Sequence, residues 1–391
     1  MNWSTIIAIN EDKHKELFYK EVADTALNAT KEIFVKLLEA ERDEAIGAKR
    51  YEQNKERKDY RNGYTCKWYD TKWGRYKLPI PRTRNSGWTS SIVKKFATMD
   101  DKLIELVQYA VFSGVSIRLA KPLIESIVGG YISTARISNI IKKIDHDIAL
   151  WKKSSIKNKN YDAIIIDGMW IKLWKGNKKR GKKQEKRVAI TALAISNGKT
   201  EVLDFEIAKS ESEKNTKKLL DRLYERGIRP ENIGMFIIDG AEGFEGAISW
   251  TFGNVPVQRC IMHKLDNLRD ALSDMPELRP IIMEQAKKIF DADSFEDFLK
   301  QTNDFRSSWK ALQDKKKGFE KDLEKCGTYL KLGVEYRTTG FIENKFRHMR
   351  RLTRIHSHYV NEKSAERFFY GQLLLRGYII PYHKLYTRCL T

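Results

Sequence analysis

Three acidic residues of the chain have positions that suit carboxylate chemistry. Asp167 ends one apolar run, AIIID, and Asp239 ends a second, MFIID, and each is followed directly by a glycine. A carboxylate at the end of a buried strand costs folding free energy unless it is paired or bound to a metal ion. If the two runs form adjacent parallel strands, the aspartates lie side by side. Glu343 is then expected to join them from a helix packed over the same edge.

This set of side chains predicts a divalent-metal site. Carboxylate oxygens are the ligands that Mg²⁺ and Mn²⁺ prefer. Two such ions, about 4 Å apart, activate a water or a 3′-hydroxyl and stabilise the leaving oxygen of a phosphodiester. We therefore expect Asp167, Asp239 and Glu343 to be catalytic residues and metal ligands for two Mg²⁺ or Mn²⁺ ions. Proteins that use this geometry on DNA cut and join its strands.

A simpler interpretation is that each Asp-Gly step is only a turn. Other carboxylates also compete for the role, because Asp162 precedes the first run and Asp204 and Glu206 alternate on a later strand. Asp204 could instead be a salt-bridge partner at the edge of the sheet. Asp167 is preferred because it closes the apolar run, and two matched Asp-Gly steps in one strongly basic chain favour the metal site.

The elements that must position these carboxylates follow from hydrophobic periodicity and turn signals. We expect three strands (163–173, 188–195 and 202–207), a helix (212–226), a strand (234–238), a second helix (241–250) and a last strand (255–259). Asn197-Gly198 predicts a hairpin turn between the second and third strands. The first three strands should form an antiparallel meander, which gives an α/β fold class with a ribonuclease-H-like mixed-sheet core.

The rest of the chain is expected to be mostly helical. Helices are predicted for 11–47 and most of 100–150, and a small β-hairpin for 63–82. These elements predict six regions. They are an N-terminal helical region (1–60), a β-hairpin region (61–95), a helix-turn-helix region (96–150), the first part of the core (160–263), an all-α insertion (264–335), and C-terminal helices of the core that include Glu343 (336–391).

The helix-turn-helix region carries a prediction of its own. Helices at 115–128, which could start late because of Pro122, and at 134–148 are joined through Gly129-Gly130, as in motifs whose second helix enters the major groove of DNA. The residues at the start of that second helix, which we expect to contact DNA, are Thr134, Arg136, Ser138 and Asn139. An ordinary helical hairpin is the alternative.

The overall charge agrees with a nucleic-acid partner. The formal net charge is +21 and the isoelectric point about 9.6, so the surface attracts polyanions; an anionic membrane surface is the alternative. Ribosomal proteins, helicases and polymerases have similar charge. No run of about 18 apolar residues predicts a membrane span, and the N-terminus has no secretory signal. Four widely spaced cysteines without a CxxC pair favour a reducing cytosol.

One segment, 172–187, concentrates this charge, with nine basic residues against the single acidic Glu185. Because it leaves the strand that carries Asp167, it could bind phosphates near the cleaved DNA strand. The basic residues that we expect to contact DNA are Lys178, Lys179, Arg180, Lys182 and Lys183. The alternative is a solvated hairpin tip. Trp170 and Trp174 could stack on bases, although core packing is the expected role of at least one.

Cys260 and His263 form a C-x-x-H pair after the last predicted strand. A structural zinc site needs four ligands, and no second Cys/His pair at suitable spacing follows. The favoured interpretations are a packing motif at a helix start, or a histidine that contacts DNA or polarises the site.

Taken in order, several stretches resemble the Mutator-type bacterial insertion-sequence transposases over nearly the whole chain. They are RNGYTCKWYDTKWGRYKLPIPRTR (61–84), GVSIRLAKPLIESIVGGYISTARISNIIKKI (114–144), AIIIDGMWIKLW (163–174), IIDGAEGFEGAISWTFGNVPVQRCIMHKLDNL (237–268) and RTTGFIENKFRHMRRLTRI (337–355).

The resemblance implies transposition by a DDE mechanism, with Asp167, Asp239 and Glu343 as the triad and a helical domain inserted between the second aspartate and the glutamate. It implies binding to double-stranded DNA, at the terminal inverted repeats and the target. Pairing two ends implies a homodimer or a larger assembly, acting in a prokaryotic cytoplasm at the nucleoid. Cys260 and His263 take the places of the family's C/D-x-x-H signature. Gly340 stands where the family commonly has asparagine, which could alter the helix start without removing a ligand.

Two other functions stay open. A nuclease of the same fold would cleave DNA without joining it and would not need specific element ends. An inactive or domesticated transposase would only bind DNA, although the presence of all three carboxylates counts against it. A tyrosine or serine recombinase is disfavoured because the motifs imply no nucleophilic side chain.

Overall fold

The structure, a computed structural model, describes residues 3–71, 74–92, 101–128, 131–157, 159–175, 183–356 and 359–379. The chain divides into two compact units, Met1–Lys143 and Ile144–Thr391. None of the described helices is both long and apolar enough to span a membrane.

In the first unit, a long helix packs on a β-hairpin. Helix α1 spans Trp3–Ile46, and strands β1 (Arg61–Thr71) and β2 (Gly74–Thr83) pair antiparallel. Helix α1 begins earlier than predicted, because no glycine or proline interrupts the sequence before Gly47, which has a φ of +74°. The buried residues between helix and hairpin are Leu38, Tyr69, Tyr76, Leu78 and Ile80.

The described residues of the first unit also form the helices α2 (Asp101–Phe112), α3 (Ile117–Val128) and α4 (Thr134–Lys142). Helix α3 does not start late; Pro122 lies inside it. The Ser133 side chain caps α4 by accepting a hydrogen bond from the backbone N–H of Arg136, at 3.2 Å, as the serine predicts. The helix predicted for 134–148 is instead two helices, because α4 ends at Lys142 and α5 (Ile144–Lys153) follows as the start of the second unit.

The second unit is built on a five-stranded mixed sheet, in a chain that is α/β overall. Its strands, in the spatial order β5-β4-β3-β6-β7, are β3 (Ala163–Lys175), β4 (Lys183–Ser196), β5 (Lys199–Ala208), β6 (Phe236–Ile238) and β7 (Val257–Arg259). Strands β3, β4 and β5 run antiparallel, whereas β6 pairs parallel with both β3 and β7. The predicted turn between β4 and β5 is confirmed, since Asn197 and Gly198 both have positive φ, 50° and 72°.

Strands β3 and β4 extend beyond the predicted limits. Ile171 and Leu173 are buried while Trp170 and Lys172 are exposed, so the alternation of a half-buried strand continues into the basic segment. Much of 172–187 is therefore strand rather than loop. Of the residues predicted to contact DNA in this segment, Lys183 is the first residue of β4. Lys178, Lys179, Arg180 and Lys182 lie outside the described residues.

Two helices, α6 (Glu213–Glu225) and α7 (Glu242–Phe252), pack against the sheet and form its main core. On the edge strand β5, Asp204 is fully buried and accepts a hydrogen bond from Nε of Arg222 at 2.9 Å. Glu206 of the same strand accepts one from the same guanidinium at 2.8 Å. Asp204 is thus the salt-bridge partner that the sequence suggested.

Residues 264–335 are helices and turns, as predicted, and have their own apolar core. The helices are α8 (Ile261–Ala271), α9 (Arg279–Phe290), α10 (Phe295–Ser308), α11 (Gln313–Glu320) and α12 (Thr328–Leu332). The chain then returns to the sheet as α13 (Gly340–His356), which packs against β3, and α14 (Glu362–Leu375), which packs against β5 and α5.

Candidate active site

The register of the two parallel strands brings the two aspartates together. Ile166 of β3 lies opposite Ile238 of β6, and Asp167 and Asp239 are the next residues on the two strands. Asp167 ends the apolar run but not its strand, because β3 continues along β4 to Lys175, two residues beyond the predicted limit. It ends only the part of β3 that pairs with β6, and this is the part that decides where the two carboxylates meet.

The environment of Asp167 opposes its negative charge. The residue is 5 % exposed, and burial, followed by the charge of Asp239, raises its pKa to about 6. A hydrogen bond from the backbone N–H of Gly168, at 2.8 Å, and the charge of His263 lower the pKa of Asp167. The charge of Glu343 raises it further. A bound cation would remove this repulsion.

A fourth carboxylate, Glu211, lies at the same site and was missed from the sequence. It precedes α6 and is half-buried, and burial, then the charges of Asp239 and Asp167, raise its pKa to about 7. Its side chain lies over Gly168, where an added Cβ would stand 2.0 Å from Oε1. A Cβ at Gly243 of α7 would stand 2.3 Å from the Glu211 carbonyl oxygen. Because Gly168 and Gly243 have no Cβ atom, there is space for Glu211 at this position.

Glu343 lies in the first turn of α13. The buried residues Ile342, Phe346 and Met349 fix the face that α13 turns to the protein interior. The Glu343 side chain is 37 % exposed, and its Oε1 accepts a hydrogen bond from Oγ1 of Thr339 at 2.5 Å. The helix starts at Gly340, so a glycine at this position does not prevent Glu343 from being helical.

Cys260 and His263 lie beside Glu343, at the start of α8. Cys260 is fully buried; its Sγ accepts a hydrogen bond from the Thr339 backbone N–H at 3.3 Å and lies 3.2 Å from the Thr339 hydroxyl oxygen. Burial alone would raise the pKa of the Cys260 thiol, but hydrogen bonds from His263 and Thr339 bring it below its ordinary value. The hydrogen bond with Cys260 is the main cause that raises the pKa of His263 to about 9, and the charges of Asp167 and Asp239 contribute.

Two sets of side chains here could hold a metal ion. The ligand atoms of Cys260, His263 and Glu343 all lie within 4.8 Å of one another, but they are three where a closed structural zinc site has four. The other set is carboxylates only: Asp167, Asp239, Glu211 and Glu343, of which Asp167 alone is buried. Their ligand atoms do not form a second such close group among the described residues, but the charges of Asp239 and Glu343 act on Asp167, and those of Asp239 and Asp167 act on Glu211. Oxygen donors are the ligands that Mg²⁺ and Mn²⁺ prefer.

The residues predicted to read DNA lie in the first unit, at the start of α4. Thr134 and Asn139 are exposed and Ser138 is partly buried. The guanidinium of Arg136 makes an ion pair with Oδ2 of the buried Asp70, on the hairpin, at 2.6 Å. The structure therefore gives Arg136 a structural partner that the helix pattern did not indicate.

Comparison with known proteins gives the relationship of the whole chain. A family model described as "Transposase, Mutator family" matches residues 4–375. The chain is 27 % identical to the transposase for insertion sequence element IS905 of Lactococcus lactis, over 90 % of this chain and 87 % of that protein. It is 28 % identical to the transposase for insertion sequence element IS256 in transposon Tn4001 of Staphylococcus aureus, over 66 % of this chain and 65 % of that protein.

Among solved structures, the chain is similar to the Drosophila P element transposase strand transfer complex. The TM-score is 0.31 at 10 % identity, over 67 % of this chain and 64 % of that chain, a likeness too slight to bear on the site. The family match is what decides the relationship, because it spans nearly all of the sequence. The chain belongs to the Mutator family of transposases.

Proposed function

We propose that this protein is the transposase of an insertion sequence, which binds the terminal inverted repeats and catalyses metal-dependent DNA cleavage and strand transfer. The observation that carries the proposal is the pairing of Ile166 with Ile238, which places Asp167 and Asp239 next to each other in a chain of the Mutator family. The printed names of the relatives agree with an insertion-sequence origin.

We interpret the second unit as a ribonuclease-H-like core. Support comes from its strand order, β5-β4-β3-β6-β7, with three antiparallel strands followed by two parallel ones. The helical residues 264–335 separate the strand that precedes Cys260 from the helix that carries Glu343. This is the expected arrangement of a core interrupted by an all-α insertion.

In this proposal Asp167, Asp239 and Glu343 would hold two Mg²⁺ or Mn²⁺ ions. When bound, such ions lower the pKa of an attacking water or hydroxyl and stabilise the leaving oxygen. The protein's own contribution is to present the carboxylates together and partly shielded from solvent, so that their repulsion in the free state favours cation binding. Glu211 adds a fourth negative charge, because its carboxylate interacts with both Asp167 and Asp239.

The chemistry is a pair of in-line displacements at phosphorus. The oxygen of a water attacks the phosphodiester at the element end, and the 3′ oxygen leaves as a hydroxyl. That hydroxyl then attacks a phosphodiester of the target, whose own 3′ oxygen leaves. Neither step requires a bond between DNA and protein, in agreement with the full burial of the Cys260 thiol beside the site.

DNA recognition is assigned to both units. Helices α3 and α4 would act as a helix-turn-helix, with Thr134, Ser138 and Asn139 reading base edges and Arg136 doing so only after release from Asp70. Lys178, Lys179, Arg180, Lys182 and Lys183 would neutralise phosphates. Bringing two element ends together requires at least two copies of the chain, acting on DNA in a prokaryotic cytoplasm.

A strand-transfer assay tests the proposal. Purified protein is incubated with Mg²⁺ or Mn²⁺ and with DNA that carries the repeats flanking its gene, beside Asp239→Asn. We expect the wild type to nick and join the ends, and the variant to bind the same DNA without cutting it. Cleavage without joining would support a nuclease, and binding without cleavage by either protein would support a DNA-binding protein that has lost catalysis.

A further inference from the structure

We propose that the Cys260-x-x-His263 motif positions Glu343 through the hydroxyl of Thr339. The motif then has a specific task in the active site, which is to hold the third carboxylate against the first two. This inference rests on the proposed function, because Glu343 is itself a proposed metal ligand. Cys260, His263 and Thr339 are positioning residues in this scheme, since they act on the metal only through Glu343.

Thr339 lies at the centre of the arrangement and is fully buried. Its Oγ1 is within hydrogen-bonding distance of three groups: Oε1 of Glu343 at 2.5 Å, Sγ of Cys260 at 3.2 Å and Nδ1 of His263 at 3.4 Å. A hydroxyl has one proton and two lone pairs, so it can donate fully to only one neighbour. A carboxylate is the stronger acceptor, so the proton goes to Glu343, and the lone pairs are left to accept from His263.

Cys260 holds Thr339 by a second contact that does not need the hydroxyl. The backbone N–H of Thr339 donates to Sγ of Cys260 at 3.3 Å. Next to it, the backbone N–H of Ile261 donates to the carbonyl oxygen of Arg337 at 3.3 Å. The motif is therefore where the chain, after residues 264–335, is bound back to the edge of the sheet.

The connection matters because of how the chain runs. Cys260 directly follows β7, which pairs with β6, and β6 leads directly into Asp239. Thr339 directly precedes α13, which carries Glu343. Seventy-nine positions separate Cys260 from Thr339 along the sequence, so chain connectivity alone does not place Glu343 beside the aspartates. The contacts of Thr339 with the motif supply that placement.

Two other roles for the motif fit the structure less well. A cysteine beside a histidine can be a nucleophile, but the Cys260 side chain is fully buried and has no access to DNA. A zinc ion on Cys260, His263 and Glu343 would have only three protein ligands and would remove Glu343 from the carboxylate set. Zinc would also have to displace the hydrogen bonds that Thr339 makes with Cys260 and Glu343.

The test is direct Mn²⁺ binding, measured by the electron paramagnetic resonance of free Mn²⁺, for wild type, Glu343→Gln, Thr339→Val and Thr339→Ser. Loss of a residue that orients a metal ligand weakens metal affinity by about 10- to 100-fold. We expect such a loss for Thr339→Val, which keeps the shape but not the hydroxyl, and near-wild-type affinity for Thr339→Ser. Cys260→Ala should also weaken binding, because the Thr339 backbone N–H loses its acceptor.

Thr302→Val in α10 is the matched control. Thr302 is 1 % exposed, and its hydroxyl has no hydrogen-bond partner among the residues that the structure describes. This substitution should leave Mn²⁺ affinity unchanged. Wild-type affinity in Thr339→Val, or equal losses in Thr339→Val and Thr339→Ser, would overturn the inference. Stoichiometric zinc in the purified protein that is lost in Cys260→Ala would overturn it as well.

The two proposals fail in different ways. If wild type binds Mn²⁺ through Glu343 but joins no DNA, the proposed function fails while the affinities still decide the role of Thr339. If Glu343→Gln binds Mn²⁺ as well as wild type does, Glu343 is not a ligand. The positioning inference then fails regardless of activity.

Discussion

The electrostatic account of the site predicts that Asp167→Asn stabilises the metal-free protein at alkaline pH. Burial and Asp239 raise the pKa of Asp167 from 3.8 to about 6, so the folded protein binds this proton more tightly than the unfolded chain does. The carboxyl therefore costs nothing well below pH 3.8, where it is protonated in both states. Its cost grows as the pH rises through 6 and is constant above that.

The size of the effect follows from the shift. One pKa unit corresponds to 1.36 kcal/mol, so a shift of about two units makes the ionised carboxylate unfavourable by up to about 3 kcal/mol. Asparagine has nearly the same shape and does not ionise. In EDTA at pH 8 we expect Asp167→Asn to raise the free energy of unfolding by up to that amount. This corresponds to about 6–12 °C in melting temperature for a unit of this size.

Urea unfolding of both proteins in EDTA, at pH 8 and at pH 4, is the assay, with Asp221→Asn as the control. Asp221 lies on α6 with its side chain 42 % exposed, so its substitution should change stability by no more than about 0.5 kcal/mol. At pH 4 the stabilities of wild type and Asp167→Asn should differ by only about 0.5 kcal/mol. At a hundred times its dissociation constant, Mg²⁺ should stabilise wild type by about 2.7 kcal/mol and Asp167→Asn by much less. An Asp167→Asn protein no more stable than wild type at pH 8 without metal would refute the reasoning.

Further predictions concern the support of the sheet and the space beside Asp167. Arg222→Met should destabilise the second unit by about 3–5 kcal/mol, because Asp204 would stay buried without its closest cation; Lys217→Met on the same helix, in an exposed ion pair, should cost at most about 1 kcal/mol. Equal urea midpoints for the two variants would contradict this account. Gly168→Ala should displace Glu211, whose Oε1 would be 2.0 Å from the new Cβ. Strand transfer should fall at least tenfold, while wild-type turnover would show that the segment moves aside freely.

The sequence predicted that Asp167 and Asp239 lie side by side because the relevant information is local. Two apolar runs that each end in Asp-Gly specify both the strands and the relative register, so the adjacency of Asp167 and Asp239 could be expected before the structure was known. The position of Glu343 could not be predicted from local sequence alone, because it depends on contacts formed after a long helical segment. Its place in a motif, rather than any periodicity, identified it.

Glu211 and Arg136 show what local patterns do not contain. Glu211 lies in the polar run Ser-Glu-Ser-Glu, which resembles any helix start, and only the space over Gly168 shows where its carboxylate goes. The helix pattern placed Arg136 correctly at the start of α4, but its ion pair with Asp70 joins residues from different elements. The early start of β4, at Lys183 rather than at the predicted residue 188, was missed because the basic residues Lys183, Lys186 and Arg187 hide the strand.

The late return of the chain to its sheet has a consequence for synthesis on the ribosome. Proteins emerge N-terminus first, so the strands with Asp167 and Asp239 leave the exit tunnel well before Glu343. The sheet also waits for later residues, because the Val202 N–H donates to the carbonyl oxygen of Tyr378 at 2.9 Å. A polypeptide that stalls or is cut within residues 264–335 therefore has the proposed DNA-reading helices and both aspartates but no glutamate. Such a fragment could occupy element ends without cutting them, and prematurely terminated translation would produce a competitor of the complete protein.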